Sequence, residues 1–91
     1  MRFEWDEAKR RANIRSHGID FADCESVFHG TTLTMEDTRL DYGEIRYITI
    51  GLLREHVVVI VHTETDDVVR YISARKATRY EEKEFWSQIT N

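Results

Sequence analysis

The stretch VVVIV at residues 57–61 decides the fold of this chain. Five consecutive β-branched residues are typical of a central strand that is buried on both faces. The polar residues 65–67 then predict a turn, and residues 68–73 predict a strand that returns antiparallel to the first. Residues 44–53 alternate in polarity and predict a strand on the other side. The centre of the chain is therefore expected to form an antiparallel sheet.

Signals for two helices precede this β-rich centre. Asp6 is suited to cap a helix that runs to about Ser16, and Gly18 lies just past its last turn, where a positive φ is needed. Asp20 is suited to cap a second helix, which Gly30 ends. Four residues recur at the spacing of one apolar helix face: Phe21, Cys24, Val27 and Phe28.

The C-terminal part of the chain predicts one more helix. Thr78 and Glu81 match a capping box, in which each side chain accepts a hydrogen bond from a free backbone N–H group. The helix is expected to run to about Ile89. With two short strands at 3–5 and 32–35, the predicted order is β-α-α-β-β-β-β-α. This is an α+β fold, an antiparallel sheet covered by helices, in one domain over residues 1–91.

Composition restricts the class of protein. The chain is 41% hydrophobic and 33% charged, which is typical of a globular domain with a charged exterior. Its one cysteine, Cys24, excludes an intrachain disulfide and fits a cytoplasmic protein. No apolar run approaches the ~20 residues of a membrane span, so no membrane partner is expected. The four histidines lack metal-ligand spacing, so neither a metal nor another cofactor is expected.

Two basic segments stand out against a net charge of −4. No carboxylate lies between Asp67 and Glu81, and the four cations of this segment are Arg70, Arg75, Lys76 and Arg79. A guanidinium can donate two parallel hydrogen bonds to a phosphate and stays charged at any working pH. The first predicted helix carries the second segment, with Lys9 and Arg10. We therefore expect a polarised surface on which Lys9, Arg10 and Lys76 contact RNA.

The predicted strand 44–53 adds two candidates. Glu44 and Arg46 are two residues apart, so their side chains are expected on one strand face. One interpretation is a cationic pocket that stabilises the charge of a phosphoryl transition state, with Glu44 accepting a proton or orienting Arg46. The other is that Glu44 and Arg46 form ordinary cross-strand ion pairs. The spacing alone leaves both open.

Other residues that could carry chemistry also have structural explanations. His17 lies at the end of the first predicted helix, and His62 follows the buried stretch 57–61. Imidazole suits general acid or base catalysis. Either is equally an ordinary residue at such a position. Trp5 and Trp86 could stack bases, but we expect them, like Cys24, to pack in the core.

Several short motifs together resemble BrnT-type toxins over nearly the whole chain, from Phe3 to about Trp86. The N-terminal matches are FEWD at 3–6 followed by Lys9 and Asn13, and then HGIDF at 17–21 and VF at 27–28. The later matches are GEIR at 43–46 and ISARKA at 72–77, followed by Arg79 and Glu81.

The resemblance implies a RelE-like fold and a toxin of a type II toxin–antitoxin pair. Such toxins cleave RNA and halt translation, and a DNA-binding antitoxin of the BrnA type neutralises them. The complex contains toxin dimers and reaches operator DNA through the antitoxin.

On this basis we expect a metal-independent endoribonuclease in which the ribose 2′-OH attacks the adjacent phosphorus. The predicted phosphate and transition-state contacts are Arg46, Arg70, Arg75 and Arg79. Glu44 is the candidate base, with His62 and Tyr47 as lesser candidates. The alternative is a non-catalytic binding module whose arginines dock an acidic partner or nucleic acid.

Overall fold

Five strands form one sheet within residues 1–90, which are the residues that this computed structural model describes. Their order across the sheet is β1-β5-β4-β3-β2. In chain order the elements are β1 (Arg2–Glu4), α1 (Glu7–His17), a 3₁₀ turn (Phe21–Asp23), α2 (Glu25–Phe28), β2 (Leu33–Glu36), β3 (Tyr47–Leu53), β4 (His56–Thr65), β5 (Val68–Lys76) and α3 (Arg79–Ile89). The predicted α+β class is confirmed.

The apolar stretch 57–61 lies in β4, the middle strand of the sheet. Residues 57–60 are buried, which confirms the prediction of a central strand covered on both faces. β4 pairs antiparallel with both β3 and β5. β1, however, pairs parallel with β5, so the prediction of a wholly antiparallel sheet is wrong at this edge. β1 and β5 are separated by most of the chain, so no short turn requires them to run antiparallel.

β3, the second helix and β5 differ from the prediction by more than one residue at a boundary or are broken. β3 begins at Tyr47 and not at 44, because the chain bends at residues 43–44. In this bend the Gly43 N–H donates to Asp41 Oδ1, and Gly43 has a φ of 74°. The second helix is broken into a 3₁₀ turn and the four-residue α2, although Asp20 Oδ1 accepts from the Ala22 N–H as expected for a cap. β5 continues past residue 73 to Lys76.

Helices cover both faces of the sheet. The side of the sheet that faces α1 and α2, here called the α1 side, carries the larger core, with Phe21, Ile60 and Tyr71 all at 1% exposure or less. On the opposite face, the α3 side, Phe85 of α3 packs against Ile50, Val57 and Val59.

The interior of the α1 side contains polar groups that are hydrogen-bonded. Asn13 of α1 donates from Nδ2 to the Ile19 and Ala74 carbonyls, both at 2.9 Å, and its Oδ1 accepts from the Ala74 N–H at 3.0 Å. Since buried amides must be satisfied, these bonds fix α1 against β5. Cys24 and Trp5 pack on this side as predicted, whereas Trp86 is 40% exposed on α3 and the prediction of a core residue is wrong.

A β-bulge in β5 decides which way its side chains point. Val61 pairs with Ser73 and His62 pairs with Tyr71, so Ile72 is an extra residue in β5. An extra residue reverses the alternation of side chains along a strand. Arg70 and Arg75, which are five residues apart, therefore face the same side of the sheet.

Candidate active site on the α3 side

The strand register places the predicted strand arginines on the α3 side. Arg75 pairs with Val59, which packs against Phe85, and Arg70 pairs with Thr63, which has the same alternation as Val59. α3 covers only one end of this face. Met35 remains 48% exposed on it, and Ile48, Val61, Thr63 and Ser73 are only half-buried. The α3 side is thus an open surface bordered by arginines.

Arg75 donates more hydrogen bonds within residues 1–90 than the other predicted arginines. Its Nη1 and Nη2 donate to Oε1 and Oε2 of Glu81 at 2.8 and 2.9 Å. The same Glu81 accepts from the Thr78 N–H, and Thr78 Oγ1 accepts from the Glu81 N–H, so the predicted capping box is confirmed. The hydrogen bonds from Arg75 lower the pKa of Glu81 to about 2. Glu81 therefore stays ionised and ties the guanidinium to the start of α3.

Part of the Arg75 guanidinium is still available. Nη1 also donates to the Lys76 carbonyl at 3.3 Å. Within residues 1–90, Arg75 Nε–H and the second hydrogen of Nη2 have no acceptor. These two N–H groups point in parallel and have the geometry that binds two oxygens of a phosphate. With 38% of the side chain exposed, a ligand can reach them.

Arg46 and Glu44 lie in the β2–β3 loop, residues 37–46, and not in a strand. Their predicted placement on one strand face is therefore wrong, because both residues lie between the turn at Gly43 and the start of β3 at Tyr47. They still pair, with Arg46 Nε donating to Glu44 Oε2 at 3.1 Å. The Arg46 guanidinium also lies 4.0 Å above the Tyr42 ring, which holds it by a cation–π contact.

The remaining two predicted arginines are more exposed. Arg70 donates to Glu4 of β1 at 2.6 Å, with both side chains about half exposed at 49% and 48%. Arg79 is exposed in the first turn of α3. Exposed ion pairs stabilise a fold by only about 0–1 kcal/mol. A phosphate can therefore compete with these carboxylates for the arginines.

The predicted RNA contacts lie elsewhere. Lys76 pairs with Val58, so it faces the α1 side and lines a small cavity with Asp20 and Asp23. Arg10 donates to Glu7 and Asp20 at 2.6–3.0 Å and holds α1 to the following turn. Lys9 lies on α1 as well. The structure does not bring these three residues to the arginines of the α3 side.

The histidine and tyrosine candidates also lie away from the α3 side. His62 is 1% exposed on the α1 side, where Nε2 lies 2.7 Å from Thr49 Oγ1. Burial lowers the pKa of His62, so the imidazole is neutral and enclosed. Tyr47 stacks on His62 with ring centroids 5.9 Å apart. His17 ends α1 in solvent. For Cys24, burial raises the pKa of the thiol to about 12, which fits the predicted core role.

Sequence reasoning missed Asp37 and Arg39. Asp37 is 5% exposed, and its carboxylate accepts from Arg39 Nε and Nη2 at 2.8 Å and from Tyr42 Oη at 3.1 Å. The acidic run around Asp37 concealed this arrangement, because a charge run usually indicates a solvated loop. A composition shift does not reveal that one carboxylate of such a run is buried.

Neither a metal-binding cluster nor a membrane-spanning helix is found among the described residues. No group of three or more histidine, cysteine, aspartate or glutamate side chains within residues 1–90 is arranged to hold a metal ion. None of the helices in this range has the length and apolar character needed to cross a membrane.

A family comparison identifies this class of molecule. Residues 5–81 match the model of the ribonuclease toxin BrnT of type II toxin–antitoxin systems. The chain belongs to the BrnT family. The resemblance drawn from the motifs is thereby confirmed, and the protein is a ribonuclease toxin of a type II toxin–antitoxin system.

A solved BrnT structure agrees with this assignment. The crystal structure of the Brucella abortus ribonuclease toxin BrnT matches with a TM-score of 0.72 and 29% sequence identity. The match covers 87% of this chain and 99% of that chain. No curated protein sequence matches this chain.

Proposed function

We propose that this BrnT-family protein is a metal-independent endoribonuclease whose active site is the α3 side of the sheet. The observation that carries the proposal is Arg75, which Glu81 holds in place while two parallel N–H groups stay available. Pre-ordered donors stabilise developing charge more effectively than mobile ones, because they need no reorganisation during the reaction.

The proposed chemistry is attack of a ribose 2′-OH on the adjacent phosphorus. The O2′–P bond forms and the P–O5′ bond breaks, which leaves a 2′,3′-cyclic phosphate and a 5′-hydroxyl end. The 2′-OH loses a proton to a base, and the leaving O5′ gains one. Negative charge increases on the phosphoryl oxygens in the transition state, where guanidinium groups stabilise it.

The four arginines divide into two roles, and Glu44 has a third. Arg75 and Arg46 contact the scissile phosphate, while Arg70 and Arg79 contact the neighbouring backbone. Glu44, which bonds to Arg46 at 3.1 Å, orients that arginine or accepts the 2′-OH proton. General base help of this kind contributes typically ~10²–10⁴-fold to the rate.

The cellular role follows from the same surface. Cleavage of mRNA in the cytoplasm inhibits translation, so the cell requires a BrnA-like antitoxin that blocks the arginines. Oppositely charged surfaces accelerate such association. We expect a homodimer of the toxin within the complex, with operator DNA contacted only through the antitoxin.

Incubation of the purified protein with a labelled single-stranded RNA, with and without EDTA, tests the reaction. Cleavage should continue in EDTA and leave cyclic phosphate ends, and 2′-deoxy substitution at the scissile nucleotide should abolish it. Arg75→Ala should lower the rate by about 10²–10³-fold, as expected for loss of one transition-state donor. Arg15→Ala removes the same charge from exposed α1 and should cleave like wild type.

Two results would reject this assignment. If folded Arg75→Ala and Arg46→Ala both cleave at the wild-type rate, the site lies elsewhere. If cleavage stops in EDTA and returns with Mg²⁺, the reaction is metal-dependent.

A non-catalytic binding module is the second candidate. The observation that favours it is that one oxygen of Glu44 already accepts a hydrogen bond from Arg46, which leaves a single carboxylate oxygen open to a substrate. Binding of RNA without fragments, over a range of protein and salt concentrations, would support this alternative.

A further inference from the structure

We infer that Arg39 of the β2–β3 loop is a second phosphate-binding residue, which acts with Arg75 to hold the RNA backbone across the α3 side. This inference rests on the proposed function and extends its binding site to a residue outside the arginine-rich segment 70–79. The two residues are 36 positions apart in the sequence and belong to different elements.

The backbone directs the start of the loop to the correct face. The Asp37 N–H donates to the Arg46 carbonyl at 2.8 Å, one step beyond the last β2–β3 pair. This bond continues the side-chain alternation of β2, so Asp37 faces the same side as Leu33, which packs near Phe85. The α3 side therefore includes the beginning of the loop.

Asp37 then holds Arg39 in a defined position. The Asp37 side chain is 1% exposed and receives four hydrogen bonds: from the Arg39 N–H, Nε and Nη2, and from Tyr42 Oη. The hydrogen bonds from Arg39 hold the pKa of Asp37 well below its usual range, so the carboxylate stays charged. A buried carboxylate needs such partners, and the loop supplies all of them locally.

Arg39 keeps donors for a ligand. Nε and Nη2 are occupied by Asp37, whereas Nη1 has no acceptor within residues 1–90 and 66% of the side chain is exposed. The loop thus uses a buried anion to present an exposed cation. The same arrangement recurs at Arg75, where Glu81 occupies two N–H groups and leaves two others available.

The two cations lie close enough to repel each other. Hydrogen bonds to Glu81 raise the pKa of Arg75, whereas the positive charge of Arg39 acts to lower it. The β2–β3 loop and β5 therefore each present a guanidinium group to the α3 side, and each group is held by a carboxylate of its own. An anion between or beside them removes this repulsion, and a polyphosphate backbone supplies one at every nucleotide.

A non-cleavable RNA separates binding from catalysis. We suggest a fluorescein-labelled, fully 2′-O-methylated 12-nucleotide RNA in EDTA, with anisotropy measured between 50 and 200 mM KCl for wild type, Arg39→Ala, Arg75→Ala and Arg15→Ala. Arg39→Ala should bind roughly tenfold more weakly at the lowest salt, the lower end for a hydrogen bond to a charged group. Its slope of log K against log salt should fall by about 0.7, the value for one phosphate of a single strand.

Arg39→Lys tests how the contact is made. It keeps the charge but lacks the planar fork that donates in parallel to the two Asp37 oxygens, so it should restore the salt slope and only part of the affinity. Arg15→Ala should match wild type in both quantities. Circular dichroism of every variant checks that the fold is intact.

The outcomes distinguish this inference from the proposed function. If Arg75→Ala weakens binding and folded Arg39→Ala does not, Arg39 is no phosphate contact, although the proposed site stands. If wild type does not bind the RNA, or Arg75→Ala also binds like wild type, both are rejected. If Arg39→Ala loses only affinity for an acidic protein partner, the loop is a protein-docking element and the inference is wrong.

Discussion

The two sides of the sheet are built from the same strands but differ in whether their polar groups are buried or exposed. On the α1 side, Asn13, Thr49 and His62 are buried and bond to other groups of the protein. On the α3 side beyond Phe85, arginines form exposed or half-exposed pairs and keep N–H groups available. One side thus supplies most of the buried core, and the other leaves charged groups exposed.

Loss of a large side chain from the α1 side should have the largest effect on stability. Phe21 is 1% exposed and stacks on Tyr71 with centroids 5.4 Å apart. Phe21→Ala should lower the free energy of unfolding by about 3–5 kcal/mol in urea titrations. Tyr80→Ala, at a residue that is 73% exposed on α3, should change it by no more than about 0.5 kcal/mol. Equal losses in the two variants would contradict the assignment of the core to the α1 side.

A smaller loss is expected where α2 approaches β3. A Cβ added at Gly51 would lie 2.7 Å from Val27 Cγ1, which is too close unless the buried Val27 side chain or the backbone moves. Gly51→Ala should therefore cost about 1–3 kcal/mol of unfolding free energy. At Gly30 an added Cβ would meet only the Val27 carbonyl oxygen at 3.8 Å, so Gly30→Ala is the matched control. A neutral Gly51→Ala would show that α2 is not packed tightly on the sheet.

The free energy of unfolding should vary with pH through protonation of His62. Burial lowers the pKa of His62 below its ordinary value of 6.5, so the unfolded chain takes up the proton more readily than the folded protein. The free energy of unfolding should be constant above about pH 7 and fall as the pH drops through 6.5. Urea titrations between pH 8.0 and 5.5 measure this. His62→Gln should flatten the curve, and an unchanged slope would mean that another group is responsible.

The smallest effect on stability is expected on the α3 side itself. Arg46→Ala removes an exposed ion pair and a cation–π contact, so the free energy of unfolding should fall by about 1 kcal/mol or less. RNA cleavage by the same variant should fall clearly. A loss of stability as large as that of Phe21→Ala would remove the contrast between the two sides.

Local patterns predicted most of the fold. The β-branched run at 57–61 required a buried central strand, and the Thr78–Glu81 pair formed the expected capping box. The break in the second helix was not predicted, because the spacing of three between Phe21, Cys24 and Val27 fits a 3₁₀ turn as well as an α-helix. The start of β3 was placed three residues too early, since the alternation begins at residue 44, within the bend at residues 43–44.

Local signals were sufficient to predict which elements form and where the arginines are concentrated, because strand and helix propensities and guanidinium chemistry belong to the residues themselves. Which arginines share a face depends on how the strands pair. Simple alternation would place Arg70 and Arg75 on opposite faces, and the extra residue Ile72 reverses this. The position of Arg39 near Arg75 likewise depends on strand pairing and on a carboxylate buried by the fold, which are long-range interactions that no local pattern encodes.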